Sequence, residues 1–426
     1  MNHLDAWSKF KDLSCNDLPD EVIKVANHCI LDWFGCAVAG SREPIAGLLS
    51  DEFGNRSGRC TVIGSDLQVD APTAALLNGA SGHALDYDDT GLAVACHSTA
   101  PVLPAVLAVA EEIGASGKEM IAALVAGVEI QGRIHLAMGN DHYNRGWHTT
   151  ATYGTFGATA AVAHLLKLDH EAYGVAMGLA ASQASGVKAN FGTMTKPYHA
   201  GRAAESGVNA ARLAARGFTA NPDAVLGNQG FIGAASNGKS PEGHLEESAD
   251  EWMIMQTLFK HHAACHLTHA GIESVLRLKQ KLVLGDLSSL TLTVHPAILN
   301  VCGIPEPKTG LEGKFSLRGT ASLALNDIDT ANPETFVDDV INSDAVQNLI
   351  EKVTIETDDS LTSMQTRVVW IDKAQNAHEE YHDTGVPATD LDEQAHKLEQ
   401  KFESLCDFAK VDSAQFKQAV SELTAI

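Results

Sequence analysis

Apolar runs bounded by helix start and stop signals fill the first 255 residues, and no stretch there alternates as a half-buried strand does. The runs are rich in Ala and Gly, which let neighbouring helices approach closely. We therefore predict that the first half is entirely helical, with Asp20 as the N-cap of its first helix. The predicted helices cover residues 20–40, 72–84, 98–114, 118–138, 151–168, 171–185 and 199–217.

The pattern changes after a polar loop predicted at residues 236–250. Residues 290–294, Leu-Thr-Leu-Thr-Val, alternate strictly and predict a strand, and two further strands are predicted at 353–355 and 367–371. Helices are predicted around these strands at residues 269–282, 319–324, 336–349 and 390–408. The sequence thus predicts a mainly α protein, with a large all-helical domain (1–258 plus 404–426) and a smaller α+β domain (259–403).

Charge and composition narrow the classes of partner. The formal net charge of −24 argues against nucleic acid or an anionic membrane as a partner. The eight Cys include no C-x-x-C pair, which predicts free thiols in a reducing cytoplasm rather than disulfides, a zinc ribbon or an iron–sulfur cluster. The N-terminus lacks a signal-peptide pattern, and no apolar run is predicted to reach membrane-spanning length. We expect a cytoplasmic protein.

A cationic stretch, Met-Thr-Lys-Pro-Tyr-His-Ala-Gly-Arg at residues 194–202, stands out in this acidic chain. It contains Lys196, His199 and Arg202, and Pro197 predicts a loop that enters a helix at about residue 199. The N–H groups and dipole of a helix N-terminus attract anions, so the stretch predicts a site for a small carboxylate. The simpler alternative is a solvated turn, but the apolar, Gly-rich flanks favour a site.

Residues 82–90, Gly-His-Ala-Leu-Asp-Tyr-Asp-Asp-Thr, end a predicted helix with three carboxylates in four positions. His97 precedes the next helix and His148 opens another, where the helix dipole lowers the pKa of an imidazole towards values suited to proton transfer. Taken singly, each His is more simply a capping or core residue. Together with the cationic stretch they predict an active site.

Three other motifs lead to weaker hypotheses. His261, His262, His266 and His269 cluster beside Lys260, but no third ligand joins the i, i+3 pair, so no metal site is predicted. Residues 233–240 match G-x-x-x-x-G-K-[ST], although no buried strand precedes them and Pro241 follows, so the match is attributed to chance. The carboxylates at 86–89 could bind magnesium as in helical prenyl-diphosphate enzymes, but they lack the spaced D-D-x-x-D pattern.

Several segments together resemble the MmgE/PrpD family, which contains 2-methylcitrate dehydratase, cis-aconitate decarboxylase and iminodisuccinate epimerase. They are residues 78–90, 97–104, 147–157, 182–186 and 195–202, with weaker likeness at 313–317 and 385–402. The resemblance implies a large helical domain with an α+β lid, an active site between them, a homodimer, and no metal or other cofactor. It also implies that Asp86, Thr90, His97, His148 and Lys196 are active-site residues, with His269 added from the lid.

Combining both lines, we predict Asp86, His97, His148 and Lys196 as catalytic residues. Predicted substrate-binding residues are Thr90, His199, Arg202 and His269. Lys196 and Arg202 would hold carboxylates, the two catalytic His would act as acid and base, and Asp86 would orient one of them. One departure is Arg318-Gly319, where members of the family tend to place a Tyr after Phe-Ser-Leu.

The predicted function is that of a metal-independent lyase on a small di- or tricarboxylate, which moves a proton next to a carboxylate. The alternatives that stay open are dehydration, decarboxylation, and epimerisation or racemisation of an amino- or imino-diacid. A magnesium-dependent prenyl-diphosphate enzyme and a non-catalytic interaction protein are remoter alternatives.

Overall fold

The computed structural model describes residues 10–91, 94–236 and 252–423. It consists of two compact units, which we call the helical unit (Met1–Phe259 with Ala388–Ile426) and the α+β unit (Lys260–Pro387). Most of the polar loop predicted at 236–250, and the Gly-Lys-Ser end of the P-loop-like sequence at 238–240, lie outside the described residues. The mainly α fold class predicted from the sequence is confirmed.

Helices make up most of the helical unit. Seven of them have bounds close to those predicted, and α2, α6 and α10 below were not predicted. Its helices before the α+β unit are α1 (Asp20–Gly40), α2 (Pro44–Phe53), α3 (Ala71–Gly82), α4 (Thr99–Ile113), α5 (Gly117–Met138), α6 (Asp141–Asn144), α7 (Thr149–Leu165), α8 (His170–Gln183), α9 (Thr195–Ala215) and α10 (Phe231–Ala235). The prediction of Asp20 as an N-cap is wrong by one residue, because Pro19 occupies that position and Asp20 is the first helical residue.

Four short strands interrupt this helical pattern, so the prediction of an entirely helical first half is wrong in detail. Strand β1 (Ser57–Thr61) pairs antiparallel with β2 (Gln68–Val69), and β3 (Thr90–Gly91) pairs with β4 (Thr257–Leu258). Three of these strands have two residues, and β1 buries only Cys60. Strands this short carry no alternation that a hydrophobic pattern could reveal.

The cationic stretch at residues 194–202 belongs to a helix rather than to a loop. Helix α9 begins at Thr195, and Pro197 lies in its first turn. A proline is tolerated there because the first N–H groups of a helix have no partner within it. The predicted helix start at residue 199 is therefore four residues too late.

Two helices, α1 and α5, are long and apolar enough to span a membrane by length and composition alone. This contradicts the expectation that no apolar run reaches that length. In the fold, 78% of the apolar window of α1 and 89% of that of α5 are buried. Such burial is what the core helices of a globular protein show, so length alone is weak evidence for a membrane span.

Glycines bring the C-terminal end of α3 against the N-terminal end of α9. A Cβ added at Gly79 would lie 2.8 Å from the Cα of Gly201, and one added at Gly201 would lie 2.3 Å from the carbonyl oxygen of Leu76. Only residues without a side chain permit so close an approach. As a result, the residues that follow α3 lie beside the first turn of α9.

The α+β unit contains helices α11 (His269–Lys279), α12 (Leu299–Cys302), α13 (Gly310–Gly313), α14 (Leu317–Leu325), α15 (Asp338–Ile341) and α16 (Asp344–Ile350). Its strands are β5 (Leu287–Val294), β6 (Val353–Thr357), β7 (Gln365–Asp372) and β8 (Ala377–Asp383), in the sheet order β6-β5-β7-β8. Strands β5 and β6 are parallel, and the other pairs are antiparallel. The helix predicted at 336–349 is broken into α15 and α16. Strand β8 was not predicted, because none of its residues is fully buried.

The chain then returns to the helical unit with α17 (Leu391–Ala409) and α18 (Ser413–Leu423). Helix α17 packs against α1 along an apolar stripe that includes the buried residues Leu398, Phe402 and Leu405. Lys401 is buried in the same helix, where its ammonium group pairs with Asp32 of α1 at 2.6 Å.

Candidate active site

The loop after α3 carries the carboxylates that the sequence singled out. His83 caps the helix, and Asp86 adopts a left-handed backbone conformation (φ 52°), which Asp tolerates better than most residues. The loop is fixed from α17, because the Nζ atom of Lys401 donates a hydrogen bond to the carbonyl oxygen of Tyr87 at 2.6 Å. Asp86, Asp88 and Asp89 are all buried as a result.

Lys196, in the first turn of α9, contacts this loop. Its Nζ atom donates to Oδ1 of Asp86 at 2.8 Å and lies 3.1 Å from Nε2 of His83. The side chains of Lys196 and Asp86 are each only 8% exposed. A buried carboxylate without a cation is costly, so the two groups depend on each other for their charge.

His97 joins the same cluster from the residues before α4. Its Nδ1 atom lies 2.7 Å from the carbonyl oxygen of Asp89 and 3.2 Å from Oδ2 of Asp88. Because a carbonyl oxygen only accepts, Nδ1 carries the hydrogen and Nε2 is the nitrogen that can gain or lose a proton. That Nε2 lies 3.5 Å from Oδ1 of Asp86.

His83 and Asp88 form the innermost pair of the cluster, and neither side chain has any solvent exposure. The Nδ1 atom of His83 lies 2.9 and 3.0 Å from the two oxygens of Asp88. Burial, helped by the nearby Lys196 and His97, lowers the pKa of His83 to about 4 although Asp88 opposes the shift. Burial acts to raise the pKa of Asp88, but His83 and His97 outweigh it and hold that pKa well below its usual range.

His148 is the N-cap residue of α7, as predicted, and its ring contacts the ring of His199 from α9. Their Nδ1 atoms are 3.1 Å apart, so one of the two imidazoles must donate to the other. Burial, followed by the charge of Lys196, lowers the pKa of His148 well below its ordinary value. Burial, followed by His83 and Lys196, lowers the pKa of His199 to about 4. Both rings are therefore neutral at pH 7.

The pKa of Asp89 is raised, whereas the pKa values of the neighbouring His83, Asp88 and His148 are lowered. Burial and the neighbouring carboxylates of Asp32 and Asp88 raise the pKa of Asp89 to about 7, against the hydrogen bonds that it accepts from Thr99. The Oγ1 atom of Thr99 donates to one of its oxygens. Asp89 therefore lies behind the cluster as a carboxyl group that can hold a proton near neutral pH.

The structure brings together all four predicted catalytic residues, Asp86, His97, His148 and Lys196, along with the predicted substrate-binding residue His199. Thr90 lies at the edge of the same loop, where its Oγ1 donates to the carbonyl oxygen of Cys96 at 3.4 Å.

Arg202 does not join the cluster: it is exposed on α9, with its side chain paired to Glu205 of the same helix. Lys196 and Arg202 are six residues apart, so on a helix their side chains point about 120° away from each other. The predicted role of Arg202 in holding a carboxylate has no support in these contacts.

His269 belongs to the α+β unit, where it forms a second group with His262 and His266. The ring centroids of His262 and His266 each lie 4.9 Å from that of His269. Burial and the neighbouring basic groups lower the pKa of His266 to about 4 and that of His269 well below its ordinary value. One carboxylate, Glu273, accepts from Nε2 of His262 at 3.1 Å.

His83 and Asp88 were not predicted as site residues, although both lie in the motif at 82–90. At the end of a helix a His is indistinguishable from an ordinary cap, and its contact with Lys196 spans 113 residues of sequence. The spacing within Gly-His-Ala-Leu-Asp was the available signal, because a turn after α3 places positions 83, 86 and 88 together.

Four side chains, His83, Asp86, Asp88 and His97, could also contact a cation, since their ligand atoms lie within 4.8 Å of one another. The ammonium group of Lys196 already bonds to two of the four. An ion held by this set would therefore have to displace that lysine. The cluster thus presents the ammonium donor of Lys196, the Nε2 atom of His97 and the neutral imidazoles of His83, His148 and His199, a set suited to holding a carboxylate and moving a proton beside it.

Both halves of the chain match models of one protein family. The family model of the MmgE/PrpD N-terminal domain matches residues 8–244, and that of the MmgE/PrpD C-terminal domain matches residues 262–425. The chain is 30% identical to a cis-aconitate decarboxylase of Aspergillus terreus (80% of this chain, 76% of that protein) and 29% identical to that of Homo sapiens (81% and 74%). It is 26% identical to the 2-methylcitrate dehydratase of Escherichia coli (65% and 61%). On this evidence from both of its halves, the chain belongs to the MmgE/PrpD family.

Proposed function

We propose that the protein is a lyase that acts on a small di- or tricarboxylate by moving a proton on the carbon next to a carboxylate. The observation that carries this proposal is the position of Oδ1 of Asp86 between two groups. This oxygen accepts a hydrogen bond from the Lys196 ammonium and lies 3.5 Å from Nε2 of His97. A carboxylate held at that ammonium would have a base or acid within reach of its adjacent carbon.

Decarboxylation of an unsaturated tricarboxylate is the first reaction to test, because the relatives matched over about 80% of the chain include cis-aconitate decarboxylases. In that reaction the C–C bond to the departing CO2 breaks and its electron pair stays on the carbon skeleton. A histidine that has first taken up a proton from solvent then protonates that skeleton and returns to its neutral form. Lys196 would stabilise the charge that develops on a remaining carboxylate. Dehydration would use the same groups differently: one His takes the proton and another protonates the leaving hydroxyl.

The test begins with a thermal-shift panel of di- and tricarboxylates, followed by NMR of any stabilising acid in deuterated buffer. Loss of CO2 or water supports a lyase. Deuterium that enters the substrate without loss of either would instead show an epimerase or racemase and overturn the proposal.

Substitutions then test the residues. His148→Ala should lower turnover by roughly 10²–10⁴, the cost of losing a proton-transfer group. Lys196→Ala should lower it by roughly 10²–10³, the cost of losing a donor that stabilises developing charge. Arg212→Ala is the matched control, because it also removes a cation from α9. The partner of Arg212 is Glu112, which lies outside the cluster. Circular dichroism must show that the variants stay folded. Turnover near the control value in both variants would remove the assignment.

A further inference from the structure

His83 is bonded at both ring nitrogens, and its two partners are chemically opposite. On one side Nδ1 lies within 3.0 Å of both oxygens of Asp88, and on the other Nε2 lies 3.1 Å from Nζ of Lys196. An ionised carboxylate can only accept hydrogen bonds, and an ammonium group can only donate them. The ring can satisfy both partners in one state alone: neutral, with the hydrogen on Nδ1 and the lone pair on Nε2.

The other two states of the ring each direct an N–H group at the ammonium of Lys196, which can only donate. A ring with its hydrogen on Nε2 would direct that N–H at the Lys196 ammonium and leave a lone pair against the Asp88 carboxylate. A protonated ring would satisfy Asp88 but would bring a second cation to Lys196. The lowered pKa of His83, caused by burial and by Lys196, agrees with the neutral state.

We propose that His83 is a positioning residue, whose tautomer is set by Asp88 so that its Nε2 accepts from Lys196 and holds that ammonium group against Asp86. Two of the three N–H groups of Lys196 are then used within the protein, and the third remains for a substrate carboxylate. This role rests on the proposed function, since it prepares Lys196 for an anionic substrate. It assigns a purpose to the pair His83–Asp88, which takes no direct part in the proton transfers described above.

Rigid packing supports the same role. The ring of His83 lies edge-on to His97 at 4.4 Å between centroids and is stacked on His148 at 6.1 Å. A ring held between two others and bonded at both nitrogens cannot rotate without losing contacts on every side. Lys196 would therefore meet a fixed acceptor rather than a mobile one. The titratable groups of the described residues that face Lys196 or this ring are Asp86, Asp88, His97, His148 and His199.

The first experiment reads the tautomer in the free protein, without any substrate. Protein labelled with ¹⁵N at histidine is compared with His83→Gln to assign the ring signals of His83. We expect a neutral ring with the hydrogen on Nδ1 between pH 6 and 8, and a change in the Nε2 signal in Lys196→Met. A ring with its hydrogen on Nε2, or a protonated ring, would overturn the inference even if the protein proves to have no lyase activity.

The second experiment tests the consequence for Lys196 in turnover. In His83→Gln the side-chain oxygen can still accept from Lys196, whereas in His83→Leu nothing can. We expect kcat/KM to fall by about 10- to 100-fold in His83→Leu, the cost of a misplaced catalytic group, and to recover partly in His83→Gln. In Asp88→Asn the amide can donate to Nδ1 and reverse the tautomer, so the ¹⁵N signals of His83 should show the hydrogen on Nε2 and kcat/KM should fall.

His28→Gln is the matched control. His28 is also a buried imidazole whose pKa is lowered to about 4, and it bonds to Gln394 rather than to any residue of the cluster. His28→Gln should lose stability comparably but keep the wild-type kcat/KM and the wild-type ¹⁵N signals of His83. Equal turnover in His83→Leu and His28→Gln, or no difference between His83→Leu and His83→Gln, would show that His83 has only a structural role. Absence of turnover in the wild type would refute the proposed function instead.

Discussion

The two histidine groups of this protein differ in how their nitrogens are satisfied. In the helical unit, His83 and His97 bond to Asp88, and Asp86 accepts from the Lys196 ammonium within the same buried cluster. In the α+β unit, His266 and His269 donate to the backbone oxygens of Thr384 and Ala264. Nδ1 of His266 is buried without a hydrogen-bond partner.

This difference shows that buried histidines with lowered pKa values need not form equivalent sites. In the cluster of the helical unit, charged and neutral side chains bond to one another at close range, so the geometry of each group depends on the others. In the α+β unit, the neutral rings of His266 and His269 donate to backbone carbonyls. The carboxylate of Glu273, which bonds to His262, is 33% exposed at its side chain. The first arrangement holds an ammonium and a carboxylate in contact, whereas the second consists mainly of rings that donate to backbone oxygens. Three substitution experiments test that contrast.

The largest difference is expected between Asp86→Asn and Glu273→Gln. Removal of Asp86 leaves the buried Lys196 without its carboxylate, which typically costs about 3–5 kcal/mol of unfolding free energy. Glu273→Gln keeps an acceptor for His262 at a partly exposed position, so it should cost about 1 kcal/mol or less. Hydrogen exchange read by mass spectrometry reports each unit separately. Equal costs would contradict the contrast between the two regions.

A smaller effect is expected on acidification. His83 and His266 have pKa values lowered to about 4, so between about pH 6.5 and 4 the unfolded chain binds more protons than the folded one. The stability that each neutral ring provides is therefore present above pH 6.5 and is lost as the pH falls towards 4, about 2 kcal/mol per ring at pH 5.

Urea midpoints at pH 7.5 and 5.0 measure this loss. His83→Gln and His266→Gln should each reduce the difference between the two midpoints, since Gln does not titrate. If neither variant changes the pH sensitivity, the buried rings are not the groups that bind protons on unfolding.

The smallest effect is expected for His266→Phe. The ring occupies a buried position with one nitrogen unpartnered, so an apolar ring of similar shape removes an unsatisfied group along with one hydrogen bond. The net change should stay within about 1 kcal/mol. His142→Phe is the control, because both nitrogens of His142 are bonded, to Ala235 and Thr152. Its cost in a urea titration should be clearly larger; similar costs would mean that the unpartnered nitrogen carries no penalty.

The sequence predicted seven of the helices α1 to α10 to within about four residues, because long apolar runs with clear start signals specify both type and place. The shorter helices α2, α6 and α10 were not predicted. It missed β1 to β4, whose few residues carry no alternation, and it placed Pro197 in a loop although the first turn of a helix accepts proline. That single error grouped Arg202 with Lys196. The true helix separates them, since side chains six residues apart point in different directions.

Most of the residues of the site could be predicted from the sequence, but the hydrogen bonds between them could not. Asp86, His97, His148 and Lys196 were each named from local motifs, and they do meet. His83 was overlooked because its importance lies in a contact with Lys196, 113 residues later in the chain, near the place where Gly79 packs on Gly201. Such a contact depends on tertiary structure, so no local pattern contains it.

The bond from Lys401 to the carbonyl oxygen of Tyr87 has a consequence for how the molecule is made. Lys401 follows the entire α+β unit in the chain, whereas the loop that it fixes is translated more than three hundred residues earlier (the separation is 314). While the chain is being synthesised, most of the helical unit can thus fold before Lys401 is available to bond to the loop that carries Asp86, Asp88 and Asp89. The contact that fixes this loop would therefore form only after the α+β unit has been synthesised.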